Sequence, residues 1–429
     1  MSADSLEPED ILWEQTNPDL GAYRAIIEGH FGSPCTKQEP LEPGAYSRVF
    51  LYTMQDGLKI VGKVVLPARR TIKTEAEVAA MDTMRAHTSI PIPKVHLYCS
   101  TPDNPVGAEW IVMDYVPGQR LADCWDELGY EKKTKTAKDL ARVMAEMFVF
   151  TSSHCGSLLR DLSLADDQRS RRYHHVTPDH PSSPAEEYKE VLDGSYLLGP
   201  VNDVAFLTLT NIISTSSCGP FSTERELLEA VAYRNELLNG ASSLDRLDRW
   251  PLERMFELYD IFRSLYQDHV PTFTFAHGDL SGANILVDPR SGTITGVIDW
   301  EMAGFRPRWL GATPRTWFND DPCRFVVEDS MDGPDGYDED SEADAELRNI
   351  FLAELQALSP ELLRHNREGV ELRAFFYNLC HEFPSNTTAW IIKYEKYHWD
   401  TIARGPFPFD LRQWRVDLLD LFEKIHREA

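Results

Sequence analysis

Residues 277–301 read HGDLSGANILVDPRSGTITGVIDWE, and this stretch decides the fold class. It sets His277, Asp279 and Asn284 in an H-x-D-x4-N pattern. Two short β-runs follow, Ile285 to Val287 and Ile294 to Ile298. The turn-forming run Asp288 to Gly292 joins them and closes a hairpin. The hairpin brings a further carboxylate, Asp299, back beside Asn284. Phosphoryl transfer from ATP needs these residue types at this spacing. One carboxylate orients the acceptor hydroxyl, while an amide oxygen and a second carboxylate hold the metal ions that bridge the phosphates. Taken singly, His277 also reads as a core histidine, and Asp279 or Asn284 as ordinary turn or cap residues. The joint pattern, framed by two strands, favours the chemical reading. Zinc held by His277 and Asp279 lacks third and fourth ligands at a workable spacing.

The stretch resembles the aminoglycoside phosphotransferase and choline kinase-like family, and the similarity runs from about Glu42 to about Phe325. It includes IPIPKV (90–95), NPVGAEWIVMDYVPG (104–118) and IDWEMAGFRP (298–307), phrased most like the large fungal set of such proteins. The resemblance implies an α+β, bilobal protein-kinase-like fold, with a small antiparallel-sheet N-lobe and a larger, mainly helical C-lobe. It divides the chain into an N-terminal extension (1–39), an N-lobe (40–116) and a C-lobe (117–429). It further implies ATP as donor, Asp279 as the catalytic aspartate, and Asn284 and Asp299 as magnesium ligands. Asp299-Trp300-Glu301 replaces the Asp-Phe-Gly of protein kinases, and Gly278 follows His277 where they have arginine. No activation segment separates Glu301 from Ala303-Gly-Phe-Arg-Pro. These departures belong to the small-molecule branch and argue against a protein substrate.

The N-terminal third reads as a cap over a nucleotide. Val49 to Met54 and Leu58 to Leu66 are strand-like, joined by the turn Gln55-Asp56-Gly57. In the preceding segment, Pro43 to Ser47, Gly44 and Ser47 read equally as plain turn residues or as a phosphate-covering loop, since no G-x-G-x-x-G is present. Lys63 lies within the apolar run VGKVVL, where a lysine is costly to bury without an anionic partner. It could instead snorkel to solvent from an edge strand. The resemblance gives Lys63 the α/β-phosphates and pairs it with a glutamate of the next helix, Lys73 to Arg85. Glu77 is preferred there over Glu75. The strand Trp110 to Met113 leads into Asp114, Tyr115 and Val116, which the resemblance makes the adenine-contacting hinge. A catalytically silent nucleotide-binding or scaffold relative would have lost at least one of Lys63, Glu77, Asp279, Asn284 and Asp299. All five are present.

Composition narrows the partners. The 429 residues are 42% hydrophobic and 11% aromatic, enough for a packed core. Net charge is −26. Ten acids and no bases lie between Glu328 and Glu346, so Ser330 to Ala345 reads as a solvated loop. The rest of the chain is still strongly acidic, which argues against nucleic acid or an anionic membrane as partner. No run of about 18 apolar residues appears, and the acidic start lacks both the signal-peptide and the transit pattern, so a cytoplasmic location is expected. Seven scattered cysteines, without a C-x-x-C pair, read as reduced and mostly buried.

Beyond the hinge the periodicity is helical over Thr134–Thr151, with a threonine to cap its start, and over Pro251–Gln267. Further helices are expected at Glu346–Ala357, Glu371–Cys380 and Leu411–Ile425. Trp300, Glu301, Trp309, Trp317, Phe318, Asp320 and Asp321 follow the metal segment. They read either as packing and helix caps or as a box for a cationic amine. The acceptor expected from this arrangement is a small, non-anionic hydroxyl metabolite, with Trp300, Glu301, Asp320 and Asp321 as its candidate contacts.

Overall fold

The structure is a computed structural model that describes residues 16–42, 44, 46–160, 174–175, 196–207, 218–238, 250–266, 272–314 and 342–381. The N-terminal lobe opens with helix α1 (Leu20–Phe31), capped by the Asp19 carboxylate on the Ala22 N–H. A six-stranded antiparallel sheet follows. Its strands are β1 (Cys35–Pro40), β2 (Ser47–Met54), β3 (Lys59–Val65), β4 (Val95–Cys99), β5 (Glu109–Asp114) and β9 (His174–His175), in the order β1-β2-β3-β5-β4-β9. Alternation along β3 sorts its side chains by face. Ile60 and Val64 join Tyr23 and Ile27 of α1 in one apolar cluster, with Tyr52, Trp110 and Val112. Val61 and Val65 join the larger cluster on the opposite side. Gly62 lies on the α1 side because a Cβ there would stand 2.9 Å from the Tyr23 ring. The Tyr23 hydroxyl donates 2.7 Å to the Ile111 carbonyl.

Residues 20–40 are therefore part of the N-lobe. The boundary expected at residue 40 does not separate them from it, because β1 pairs with β2 along its length and Tyr23 is fully buried against the sheet.

Helix α2 (Ile72–His87) covers the other face. Its start is tied to the sheet. Glu109 of β5 accepts from the Thr71 N–H at 2.8 Å and the Thr74 hydroxyl at 2.6 Å, and Glu75 accepts from Ser100 and Tyr98. Residues 115–118 lead directly into the short strand β6 (Gln119–Arg120), which pairs with the second lobe.

The second lobe is mainly helical among the described residues. Its longer helices are α3 (Tyr130–Phe148), α4 (Glu224–Leu238), α5 (Trp250–Leu265), α6 (Glu342–Leu358), α7 (Pro360–Glu368) and α8 (Val370–His381). Helix α3 starts at Tyr130, four residues before the threonine expected to cap it, and its cap residue is Gly129, with no side-chain cap. Helix α6 takes in Glu342 to Ala345, so the end of the acidic run is the first turn of a helix, not loop. The expected helix at Leu411–Ile425 lies outside the described residues. The second lobe also carries short sheets. One has the order β13-β12-β6, with β12 (Ile285–Asp288) and β13 (Thr293–Val297). The other has the order β14-β11-β7, with β7 (Thr151–Ser152), β11 (Phe273–Ala276) and β14 (Gly304–Pro307). Strand β8 (Ser157–Arg160) pairs with β10 (Tyr196–Gly199). Among the described residues no helix is long and apolar enough to cross a membrane.

Candidate active site

The loop from His277 to Asn284 connects β11 to β12, and local hydrogen bonds fix its shape. Ser281 N–H donates to the Asp279 carbonyl and Asn284 N–H to the Ser281 carbonyl. Asn284 Nδ2 donates 2.9 Å to both the Asp279 carbonyl and Asp279 Oδ2. The amide nitrogen is thus committed, and Oδ1 is the Asn284 atom left to accept or ligate. Gly278 has φ of 82°, a region L-residues rarely adopt, and a Cβ there would stand 2.2 Å from the Met302 carbonyl oxygen. That contact explains why glycine, not arginine, follows His277.

His277 is 1% exposed and its ring packs on the Trp300 indole, centroids 4.6 Å apart. Nε2 donates 3.0 Å to the Ile298 carbonyl, while Nδ1 accepts from the Asp279 N–H at 3.3 Å. Both contacts are satisfied by the neutral tautomer protonated at Nε2. Burial, opposed by Asp279 and Asp299, lowers its pKa in agreement. His277 therefore acts here as a structural tie.

The Ile298 peptide is gripped from both sides, because its N–H also donates 3.0 Å to the Asn284 carbonyl. This presents Asp299 next to Asn284, as the hairpin register Ile285↔Val297 requires. Asp299 adopts φ 63°, ψ 63°, a left-handed conformation that costs a non-glycine residue on the order of 1 kcal/mol and that surrounding structure must impose.

Lys63 is the meeting point. Strand β3 lies between β2 and β5, with Lys63 opposite Val49 and Ile111, so it is not an edge lysine. It is 3% exposed. Its ammonium donates to Glu77 Oε1 and Oε2 at 2.8 and 2.9 Å, to Asp299 Oδ1 at 2.7 Å and to Glu301 Oε2 at 3.1 Å. Burial alone would lower its pKa, but Asp299, Glu301 and Glu77 override that and hold the ammonium well above its ordinary value. Glu77 is pushed up by burial against the pull of Lys63. Burial would also raise Glu301, yet Lys63 and then Lys73 bring it down to about 2. Glu75, the other helix candidate, is occupied with Tyr98 and Ser100 on the sheet side.

The remaining expectations divide. Ser47 is buried, and a Cβ on Gly44 would lie 3.1 Å from its hydroxyl, so the two residues adjoin where the loop enters β2. Asp114 commits its carboxylate to His96 at 2.6 Å and its N–H to the Lys94 carbonyl, and Tyr115 and Val116 beside it are half-buried. Trp300 and Glu301 do not line an open acceptor face. Trp300 is fully buried, its Nε1 donating 2.9 Å to the Val297 carbonyl, and Glu301 is 4% exposed between two lysines. Trp309 is likewise buried, whereas Trp317, Phe318, Asp320 and Asp321 lie outside the described residues. Residues with no expected role also surround the site. Lys73 is fully buried beside Glu301, and Asn202 Nδ2 donates to the Glu301 carbonyl. Arg306 Nη2 ties the Asn202 and Met302 carbonyls together at 2.9 Å each. Lys73 could have been noticed in the sequence, because it stands four residues before Glu77 and thus on the same buried helix face.

A sequence model described as the phosphotransferase enzyme family matches residues 37–328, well over half of the chain. The chain belongs to this family. Among curated proteins the chain is similar to a subtelomeric hrmA-associated cluster protein of Aspergillus fumigatus, 26% identical over 315 residues, covering 65% of this chain and 60% of that one. The Altered inheritance of mitochondria protein 9, mitochondrial, of Yarrowia lipolytica is 24% identical, over 82% of this chain and 63% of its own length. The chain thus spans under two thirds of the length of these relatives. Among solved structures, a putative aminoglycoside phosphotransferase from Ralstonia eutropha JMP134 is similar at 14% identity, with 91% of this chain and 100% of that one covered and a TM-score of 0.48.

Proposed function

We propose that this phosphotransferase family member transfers the γ-phosphoryl group of ATP to a hydroxyl of a small, non-anionic metabolite. The observation that carries this reading is the single Lys63 ammonium held by Glu77 from α2 and Asp299 from the hairpin, beside the Asp279–Asn284 pair. Lys63 would release one carboxylate to grip the α/β-phosphates while Glu77 keeps it aligned. Residues 114–116 would hold the adenine through backbone groups, and Ser47 would sit where the loop covers the phosphates. Asn284 Oδ1 and Asp299 are hard oxygen donors of the kind magnesium takes, and Asp299, 31% exposed at its side chain, pairs with Lys63 through one oxygen only, so the donor set fits that ion. Magnesium bound there would neutralise charge on the β- and γ-phosphates. Asp279 would accept a hydrogen bond from the acceptor hydroxyl and take its proton as the new P–O bond forms and the bond to the ADP oxygen breaks. Asp279 and Asp299 at the mouth repel an anionic acceptor. The amine box expected from Trp300 and Glu301 loses its support, since both are buried.

The test is incubation of the purified chain with ATP, magnesium and a metabolite library, read by mass spectrometry for an added phosphate. Exclusive phosphorylation of carboxylate-bearing acceptors, or no product with any hydroxyl compound, would count against the reading. Lys63→Ala is expected to weaken ATP binding and lower turnover, and Lys63→Arg to recover part of both, because a guanidinium supplies the charge with different geometry. A fully active Lys63→Ala protein would remove Lys63 from the site.

Glu301 also predicts a pH effect. Its folded pKa of about 2 is depressed below the ordinary glutamate value, so its contribution is complete above about 4.5 and disappears as pH falls toward 2. The contribution is on the order of 3 kcal/mol at most. Glu301→Gln should flatten the acid limb of stability between these pH values, measured by urea midpoints. An unchanged slope would show that Glu301 is not ionised by its lysines.

A further inference from the structure

Lys73 has no part in the chemistry just described, yet it is 0% exposed and paired with one carboxylate, that of Glu301. Its ammonium lies 2.7 Å from Glu301 Oε2 and donates 3.1 Å to the Tyr46 carbonyl, with the Tyr46 ring centroid at 5.7 Å. Those contacts join two segments far apart in the chain. Tyr46 immediately precedes β2, and its carbonyl also accepts from the Leu66 N–H at the end of β3. Glu301 lies two residues after Asp299, and its own carbonyl is held by Asn202. The same Oε2 atom takes Lys63 at 3.1 Å and Lys73 at 2.7 Å, so the two lysines compete for one carboxylate oxygen.

Burying a second ammonium is costly, and a methionine or leucine would pack on α2 without that cost. The geometry points to Lys73 as a positioning residue. We propose that it neutralises Glu301 so that Lys63 remains available to Asp299 and the nucleotide, and that it pins the Tyr46 segment to the Asp299–Glu301 segment. Without Lys73, Lys63 is the nearest remaining cation for Glu301 and is drawn away from Asp299. This inference rests on the nucleotide-site reading for its effect on binding, but its structural half stands without nucleotide.

Two measurements test it. Lys73→Met is nearly isosteric and should raise the nucleotide KM at least tenfold, with a smaller change in kcat, while Lys73→Arg recovers part of the affinity. In a Glu301→Gln background the same Lys73→Met change should cost less than twofold, because the charge it compensates is gone. An equal cost in both backgrounds, or an unchanged KM, overturns the proposal. In the nucleotide-free protein, hydrogen exchange of amides 46–48 and 300–303 should accelerate together in Lys73→Met, and return toward wild type in Lys73→Arg. Acceleration confined to α2, or spread over the whole protein with a lowered Tm, would show a merely structural lysine. Failure of the wild type to bind ATP would refute the nucleotide site, and the exchange measurement would still decide the role of Lys73.

Discussion

Asp279→Asn is expected to lower turnover by about 10²–10⁴-fold and to leave ATP affinity within about twofold of wild type. The substitution keeps size and leaves an oxygen able to accept from Asn284 Nδ2, which now donates 2.9 Å to Asp279 Oδ2. The loop turn also survives, because the Ser281 and Asn284 N–H bonds go to backbone carbonyls. What disappears is a carboxylate able to receive the acceptor proton. Because Lys63 is held by Glu77, Asp299 and Glu301, nucleotide grip and chemistry should separate in this variant. Single-turnover rates beside ATP titrations would show that separation. Wild-type turnover would end the assignment of Asp279, and a matching loss of ATP affinity would place the residue in the nucleotide grip instead.

Asp299 should show the second large effect. Asp299→Ala removes the anion 2.7 Å from Lys63 and the charged candidate ligand at the hairpin end. Magnesium-dependent tightening of ATP binding, followed by calorimetry with and without the metal, should vanish, a loss of at least about 10² in affinity for a charge-assisted contact. Alanine is strained at φ 63°, so Asp299→Asn is the control, since asparagine tolerates the left-handed region. If Asp299→Asn keeps the metal dependence, the carboxylate is not the ligand. If both variants bind ATP and magnesium as wild type does, Asp299 serves only as the counter-ion of Lys63.

Much of the site was legible because its parts are local. Asp279 and Asn284 are five residues apart in one loop, and a hairpin with a recognisable turn returns Asp299 beside them. A lysine in an apolar strand signalled an anionic partner, and the resemblance placed that partner on the next helix, 14 residues on, where Glu77 meets it. The acceptor side was misread for a physical reason. Trp300 and Glu301 carry the residue types of a cation-binding box, but composition does not say which way a side chain faces. Trp300 turns inward under His277, and Glu301 turns toward α2, where two lysines cancel its charge.

By itself, then, the sequence determined the fold class and the hairpin after Asn284, and its family resemblance named Lys63 and Glu77 as partners. Period-two and helical patterns, turn chemistry and motif spacing are all set by residues near one another in the chain. Only the tertiary structure decided that Lys63 meets Asp299 across 236 residues, that Lys73 shares Glu301 with it, and that the helix and strand of residues 20–40 complete the N-lobe. These arrangements follow from how α2, β3 and the hairpin pack together, and from which buried charges must find partners once water is excluded.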